Sequence, residues 1–583
     1  MKASDDILTA LADAGVDTIF AVYGAAMGEI ADACTRQTRI RYVATIHEQA
    51  AGFAAEGYAK VKGVPGVALV TSGPGGGNLV TAAQNCYFDS VPAVFITGQV
   101  NSKFMSKSYD QRQLGFQEAP MTDIFRPIVK HEWLCEDSAD LPFQIRYAIH
   151  KAMEGRPGPV LLDIPIDIQK GEGDLSSIET FETPSYDPHA EITEFLRDLE
   201  KSERPAMMIG GGCARYKEEF YALAEKLQIP CFPTWNALDI VTSDSLCYGG
   251  RIGTYGGAGR NFGIQNADLL LCIGTRIPGR ITGGMPETFA RGAKKYVLDI
   301  DPGLLKPHNQ PVKADVNILC DAGVFMRELA KRVRPHKDFN SWQETCRQWA
   351  QKYDPVKPEH FEAFHHYGFM RKLSQAMPAD ATIVADTGGN VITFAHAFET
   401  KRGQRYFTNN GNTPMGFSMC AAIGAWFAKP QDAVWCIIGD GGFQMNVQEL
   451  QTIKNYGCKV KVLLFNNKIL GNTVSYQKAN YAGRTIGGTL PWYSTPDFVA
   501  VSKAYGIPAF TIDSWWAMDE YLPQIMALDG PCVVDIVHEG FCDYAPKMIS
   551  WSNPIEDMTP YLPRDEFRKN MRVEPWEGWE NNK

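Results

Sequence analysis

The stretch Ala433-Val434-Trp435-Cys436-Ile437-Ile438-Gly439-Asp440-Gly441-Gly442-Phe443 reads as a buried strand that stops on Gly-Asp-Gly. A helical stretch over 447–456 follows, then a second strand over 459–465 that ends in Asn466-Asn467. Asp440 and Asn467 stand 27 positions apart, one strand-helix-strand unit. That spacing brings the ends of two parallel strands to the same edge of a sheet. A carboxylate and an amide oxygen placed there are hard donors, suited to an octahedral Mg2+ that keeps its other positions for water and phosphate oxygens. Gly439, Gly441 and Gly442 let backbone N–H groups approach a diphosphate at the start of the next helix. Taken singly, Gly-Asp-Gly is a turn and Asn-Asn the start of a loop; at this spacing, each behind a strand, the pair points to a metal-diphosphate site.

Outward from this unit, short apolar strands alternate with helical stretches three times over, the pattern of parallel sheets with covering helices. In the first segment, strands are expected at 18–22, 41–46, 66–71 and 93–97, the third running into Ser72-Gly73-Pro74-Gly75-Gly76-Gly77-Asn78. Residues 171–188 are polar, contain prolines and lack apolar periodicity, which marks a linker. A second sheet opens at 206–209 before Gly210-Gly211-Gly212 and continues through 269–273 and 295–301. After a break at Pro355-Val356-Lys357-Pro358, a third runs from Thr382 to about Val537. The expectation is an α/β protein of three doubly wound parallel-sheet domains, 1–175, 189–350 and 359–543. A Pro- and aromatic-rich tail, 544–583, would pack over the surface near the site entrance. Open sheets of this kind bind ligands at the carboxyl ends of their strands.

A chain of 583 residues is too long for one core. At 45% hydrophobic and 21% charged it is ordinary globular material, and its net charge of −10, without a basic stripe, argues against nucleic acid. No apolar run approaches the roughly 20 residues of a membrane helix, and Met1-Lys2-Ala3-Ser4-Asp5-Asp6 does not resemble a signal peptide. A cytoplasmic protein is expected. The fourteen cysteines include no Cys-x-x-Cys pair, so reduced core thiols are expected rather than a zinc site.

The Gly-Asp-Gly to Asn-Asn motif resembles that of the thiamine diphosphate (ThDP)-dependent enzymes. Residues 47–59 (HEQAAGFAAEGYA), 70–75, 97–100, 116–118, 155–159, Met415-Gly416-Phe417 and 421–425 are similar to the acetolactate synthase group. The tail and the insert between Gln99 and Phe116 lack a counterpart. The resemblance implies that Glu48 hydrogen-bonds the cofactor's aminopyrimidine and that Met415 wedges the cofactor into a bent shape. Read plainly, Glu48 is a surface carboxylate favoured by a helix N-terminus and Met415 is core filling. It further implies ThDP contacts from Gly24, Asn78, Gly389, Asn390, Met415 and Gly439 to Gly442, and a Mg2+ set of Asp440, Asn467 and Ile469. Glu48 on the first domain and Asp440 on the third would meet across a subunit interface, in a homodimer or tetramer.

In the middle segment, 251–256, 274–276, 280–283 and 299–302 resemble the FAD-binding segments of the group. The implied FAD set is Arg156, Gly210, Gly211, Gly212, Thr234, Gly253, Gly256, Gly274, Arg276, Asp299 and Asp315. Pro278-Gly279 replace acidic residues usual there, and a middle domain without flavin is the plainer alternative. On the donor side, Phe116, Gln117 and Gly24-Ala25-Ala26 are compatible with pyruvate. On the acceptor side, Arg280 matches an Arg that holds a carboxylate, while Tyr476, Asn472, Thr254, Thr387 and Ile166 depart from the group's pattern. Four of these five are more polar than what they replace, favouring an acceptor with hydroxyls of its own. The expected activity is a decarboxylating carboligase passing a two-carbon unit from pyruvate to a ketone, either a 2-keto acid or a keto-sugar nucleotide. The rival readings are a pyruvate oxidase, a simple 2-keto acid decarboxylase, and a noncatalytic ThDP- or nucleotide-binding scaffold.

Overall fold

The computed structural model describes residues 2–106, 111–174, 180–182, 184–334 and 337–581. Three parallel sheets organise them. The first is ordered β2-β1-β3-β4-β6-β5, from β1 (Thr18–Val22), β2 (Arg41–Ala44), β3 (Gly66–Val70), β4 (Ala93–Gln99), β5 (His131–Leu134) and β6 (Pro159–Pro165). The second is ordered β11-β10-β9-β7-β8, from β7 (Pro205–Ile209), β8 (Cys231–Pro233), β9 (Leu269–Ile273), β10 (Lys294–Asp299) and β11 (Val316–Leu319). The third is ordered β13-β12-β14-β15-β17-β16, from β12 (Thr382–Ala385), β13 (Arg405–Thr408), β14 (Val434–Gly439), β15 (Val460–Asn466), β16 (Ala509–Ile512) and β17 (Cys532–Val537). The three-sheet α/β expectation is met. Part of the expected linker, 175–179 and 183, lies outside the described residues.

The chain forms two compact units: Met1–Thr183 with Ala381–Asn390 and Thr408–Phe541, and Pro184–Asp380 with Val391–Phe407 and Cys542–Lys583. In the first, the helix Glu48–Lys62 crosses the helix Phe417–Ala428 at backbone contact. A Cβ on Gly57 would sit 2.0 Å from the Ala421 carbonyl oxygen, and one on Gly424 would sit 1.7 Å from that of Ala54. The Ala- and Gly-rich sequence of both helices is what permits the approach. The helix Glu48–Lys62 starts where the His47 ring accepts the Gln49 N–H, and stops on Gly63, whose φ of 83° suits a residue without a Cβ.

In the second unit, both faces of the middle sheet carry a core, and the tail belongs to one of them. Ile555, Met558, Leu562, Phe567 and Met571 pack with Phe262, Leu270 and Trp349. Glu556, fully buried, accepts from Gln265 at 2.6 Å and pairs with Arg291 at 2.7 Å. The segment expected as a surface extension is thus built into the unit it covers. The fourteen cysteines are free, all buried but Cys34 and Cys542. Among the described residues no helix is long and apolar enough to cross a membrane.

Candidate active site

Two groups of expected site residues assemble in the first unit, each at the carboxyl edge of a sheet. At the first sheet, Glu48 opens its helix and its Oε2 accepts from Asn78 Nδ2 at 2.8 Å. Asn78 stands on the helix Pro74–Asp89, which follows β3. Gly24 lies against Thr71, where a Cβ would come within 2.4 Å. Gly73, with φ 54°, lies against the Gln117 carbonyl. Gln117 is itself left-handed at φ 65°, and its neighbour Phe116 is 86% exposed. Gly24, Glu48, Asn78, Phe116 and Gln117 therefore share one rim. The peptide N–H groups of Ile46 and His47 donate to Glu449, a fully buried carboxylate whose pKa burial raises.

At the third sheet, β14 and β15 pair in parallel with Gly439 opposite Phe465, so Asp440 and Asn466-Asn467 follow at the same edge. Asp440 is the first residue of a helix, Asp440–Met445, so Gly-Asp-Gly is a helix start and not a loop. The expected helix over 447–456 begins as a 3-10 turn and becomes α-helical at Leu450. One Asp440 oxygen accepts the Gly441 N–H at 2.7 Å; Oδ2 is buried with no hydrogen-bond partner, with the Tyr493 hydroxyl as a neighbour. Burial pushes the Asp440 carboxyl up to about 6. Asn390, in the first turn of the helix Gly389–Ala397 that follows β12, donates to the Thr387 carbonyl at 2.9 Å and leaves its own Oδ1 buried and unpartnered. Asn467 Nδ2 binds the Phe541 carbonyl, while its Oδ1 faces the Ile469 N–H at 3.4 Å. Ile469 has only its main chain to offer a metal.

Met415 closes this group. A Cβ on Gly441 would meet Met415 Cε at 2.7 Å and Leu470 at 2.8 Å, so the middle glycine of the motif makes room for the wedge. Sequence reasoning missed Asp386, which arranges the neighbourhood. Its buried carboxylate accepts from Thr387 N at 2.7 Å, Gly416 N at 3.0 Å and Ser418 Oγ at 3.2 Å, and would touch a Cβ on Gly442 at 3.1 Å. The missed signal was Ala385-Asp386-Thr387-Gly388-Gly389, a second strand end of the Gly-Asp-Gly type. Asn472 and Tyr476 lie one turn apart on the exposed side of the helix Gly471–Asn480. The two groups are tied together beside their key residues: Asn446, which follows the helix Asp440–Met445, donates to Gln49 at 3.3 Å, and Glu449 accepts from Ile46 and His47.

These residues fit a metal-bound diphosphate. A buried carboxylate oxygen and an amide oxygen without partners are costly unless a cation or donor meets them, and Gly388, at φ 95°, has open space where a Cβ would stand.

The flavin set divides. Arg276 and Asp299 line a shallow pocket at the ends of β9 and β10, with Thr275, Leu304 and Gln310. Gly210, Gly212 and Gly274 serve a close contact of two loops: a Cβ on Gly210 would lie 2.1 Å from the Gly274 carbonyl oxygen. Gly253 meets the Arg280 carbonyl and Gly256 that of Arg251 in the same way. Gly211 would meet Asn236, and Thr234 caps a short 3-10 turn through its carbonyl. The structure does not bring Asp315 to the pocket, because its carboxylate holds the Lys295 N–H at the opposite end of β10. Arg156 lies in the first unit, bonded to Ser90. Of the flavin set only Arg276 and Asp299 come together at one pocket; the glycines are explained by packing alone.

The sheet order and the Asp440 edge define a cofactor-dependent α/β enzyme, and comparison with known proteins identifies its class. Residues 1–121, 192–329 and 386–536 match the N-terminal, central and C-terminal domains of the thiamine pyrophosphate enzymes. The acetolactate synthase isozyme 2 large subunit of Escherichia coli is 33% identical over 549 residues, 92% of this chain and 95% of its own length. The chloroplastic acetolactate synthase of Arabidopsis thaliana is 34% identical, over 92% and 81% of the two chains. A probable large subunit from Methanocaldococcus jannaschii is 34% identical over 92% of each. The chain belongs to the acetolactate synthase family of ThDP-dependent enzymes.

Proposed function

We propose that the protein is a decarboxylating carboligase that takes pyruvate as donor and transfers its two-carbon unit to a ketone. The observation that carries this reading is the buried, unpartnered Asp440 Oδ2 at the end of β14, beside a Met415 whose position Gly441 permits. Bound ThDP supplies the carbanion chemistry. Asp440, Asn467 and the Ile469 main chain hold Mg2+, and Met415 supports the cofactor's shape. Glu48, with Oε2 held by Asn78, keeps Oε1 for a proton shared with a ring nitrogen. By resemblance to the acetolactate synthase group, Glu48 and Asp440 meet across a subunit interface, so the active unit is a homodimer, or a tetramer built from it, acting in the cytoplasm. FAD occupies the middle domain through Arg276 and Asp299. Domain boundaries are placed at 1–175, 189–350 and 359–543, with 544–583 as the tail.

The acceptor is a keto-sugar nucleotide, supported by the polar residues Thr254, Thr387, Asn472 and Tyr476. A second 2-keto acid is the alternative, favoured by Arg280 and by the acetolactate synthases among the relatives. Supplying pyruvate, ThDP and Mg2+ with each acceptor in turn, and weighing the products by mass spectrometry, decides between them. The expected product is the keto-sugar nucleotide extended by two carbons; acetolactate alone, whatever acceptor is present, overturns the sugar assignment. A colourless protein without flavin absorbance overturns the FAD assignment.

A further inference from the structure

In the second unit the segment that carries Arg280 is flanked by two indoles. Arg280 Cζ lies 5.4 Å over the Trp235 ring, which lies 6.1 Å from that of Tyr255. Trp235 is 8% exposed and so forms a fixed platform. Tyr255 is anchored from behind: its carbonyl meets His396 Nε2 at 2.7 Å, and the other nitrogen of that ring meets the Tyr367 hydroxyl at 2.6 Å.

The second indole comes from the tail. Met548 N donates to the Thr254 carbonyl at 2.8 Å, and Asn261 joins Gly253 to the Ile555 carbonyl, so the tail is fastened to the loop next to Arg280. Between these anchors, Trp551 presses its backbone on Gly284, where a Cβ would lie 2.1 Å from the Trp551 carbonyl oxygen. The edge of its ring borders Gly279, the residue before Arg280, at 3.8 Å from where a Cβ would stand. Yet the side chain is left 59% exposed. A backbone fixed this tightly, presenting an indole largely to solvent against the residue before Arg280, suits a ligand with an anionic group and a flat ring. Arginine meets phosphate oxygens as a planar fork, and indole faces stack on bases. A second pyruvate would use the guanidinium alone.

We propose that Arg280, Trp235 and Trp551 form an acceptor subsite for a nucleoside diphosphate, with Arg280 on the diphosphate and Trp551 stacked on the base. This rests on the sugar-nucleotide reading of the acceptor and names the part of that molecule the tail recognises. The test is tryptophan fluorescence of the full-length, ThDP- and Mg2+-loaded protein, titrated with uridine diphosphate, thymidine diphosphate and inorganic pyrophosphate. Either nucleoside diphosphate should quench saturably and bind more tightly than pyrophosphate. Trp551→Ala should weaken nucleoside diphosphate binding by about tenfold with pyrophosphate affinity and melting temperature unchanged, Trp551→Phe should restore most of it, and Arg280→Lys should weaken both ligands. Nucleoside diphosphates that bind no better than pyrophosphate, or a Trp551→Ala protein that binds them as the parent does, would overturn the subsite. Carbon dioxide release from pyruvate by the parent protein is the separate arm: its failure removes the carboligase reading, whereas its success with no nucleotide preference removes only the subsite.

Discussion

Glu48, opening a helix at the edge of the first sheet, and Asp163, within that sheet, show how differently two acidic residues are used. Glu48 stands at the rim with one oxygen held by Asn78. Glu48→Gln is expected to lower carboligation by about 10²–10⁴-fold while calorimetry finds ThDP affinity close to that of the parent; an unchanged rate would remove Glu48 from the ring-partner role. Asp163, on β6, is 2% exposed and accepts from Thr97 at 2.7 Å and Gln99 at 3.0 Å. Burial lifts its carboxyl from 3.8 to about 7. The folded state therefore holds this proton more tightly than the unfolded chain does. The resulting stability is whole below about pH 4 and is lost as pH rises through about 7, a difference on the order of 4 kcal/mol. Denaturant unfolding at pH 4 and pH 8 should show a smaller loss in Asp163→Asn than in the parent; equal losses would contradict the assignment. At this scale the sequence was readable where a motif carried the residue, as with Glu48, Asp440 and Met415. Asp386 was passed over although it ends a strand before Thr387-Gly388-Gly389, and Glu449 could not be read because its partners Ile46 and His47 are brought close only by the tertiary fold.

Among the elements, the crossing of the helices Glu48–Lys62 and Phe417–Ala428 joins the first and third sheets within the first unit. Gly424→Ala would place a Cβ 1.7 Å from the Ala54 carbonyl oxygen, against backbone that cannot step aside. The expected cost is about 3 kcal/mol or more. Gly77→Ala, at an exposed helical position with nothing within 4 Å, should instead stabilise by up to about 1 kcal/mol. Equal effects in chemical denaturation would contradict the packing account. Strands β1, β3, β4, β9, β12, β14 and β15 were legible because each is a continuous buried run. β5, β11 and β13 were not: β5 is His-Glu-Trp-Leu, half-exposed at a sheet edge, and β11 and β13 are edge strands of four residues. The tail was misjudged as a surface extension because Ile555, Met558 and Phe567 are spaced without periodicity and find their places only against the middle sheet.

For the whole molecule, the three-sheet plan followed from one strand-helix-strand unit repeated along the chain, and the family models fall on the same three segments. What the sequence left open is the acceptor: Arg280 could be read from it, but the proposed partners Trp235 and Trp551 stand in distant segments that only the fold brings to the Arg280 segment. The donor chemistry is the more direct test of the account. Full-length protein stripped of metal and cofactor, then given ThDP, Mg2+ and carboxyl-labelled pyruvate, should release labelled carbon dioxide. Omitting ThDP or Mg2+, or replacing Asp440 with Ala, should abolish the release. No label released under any of these conditions would contradict the pyruvate carboligase account; release that persists without Mg2+ and in Asp440→Ala would contradict the role assigned to the buried Asp440 carboxylate.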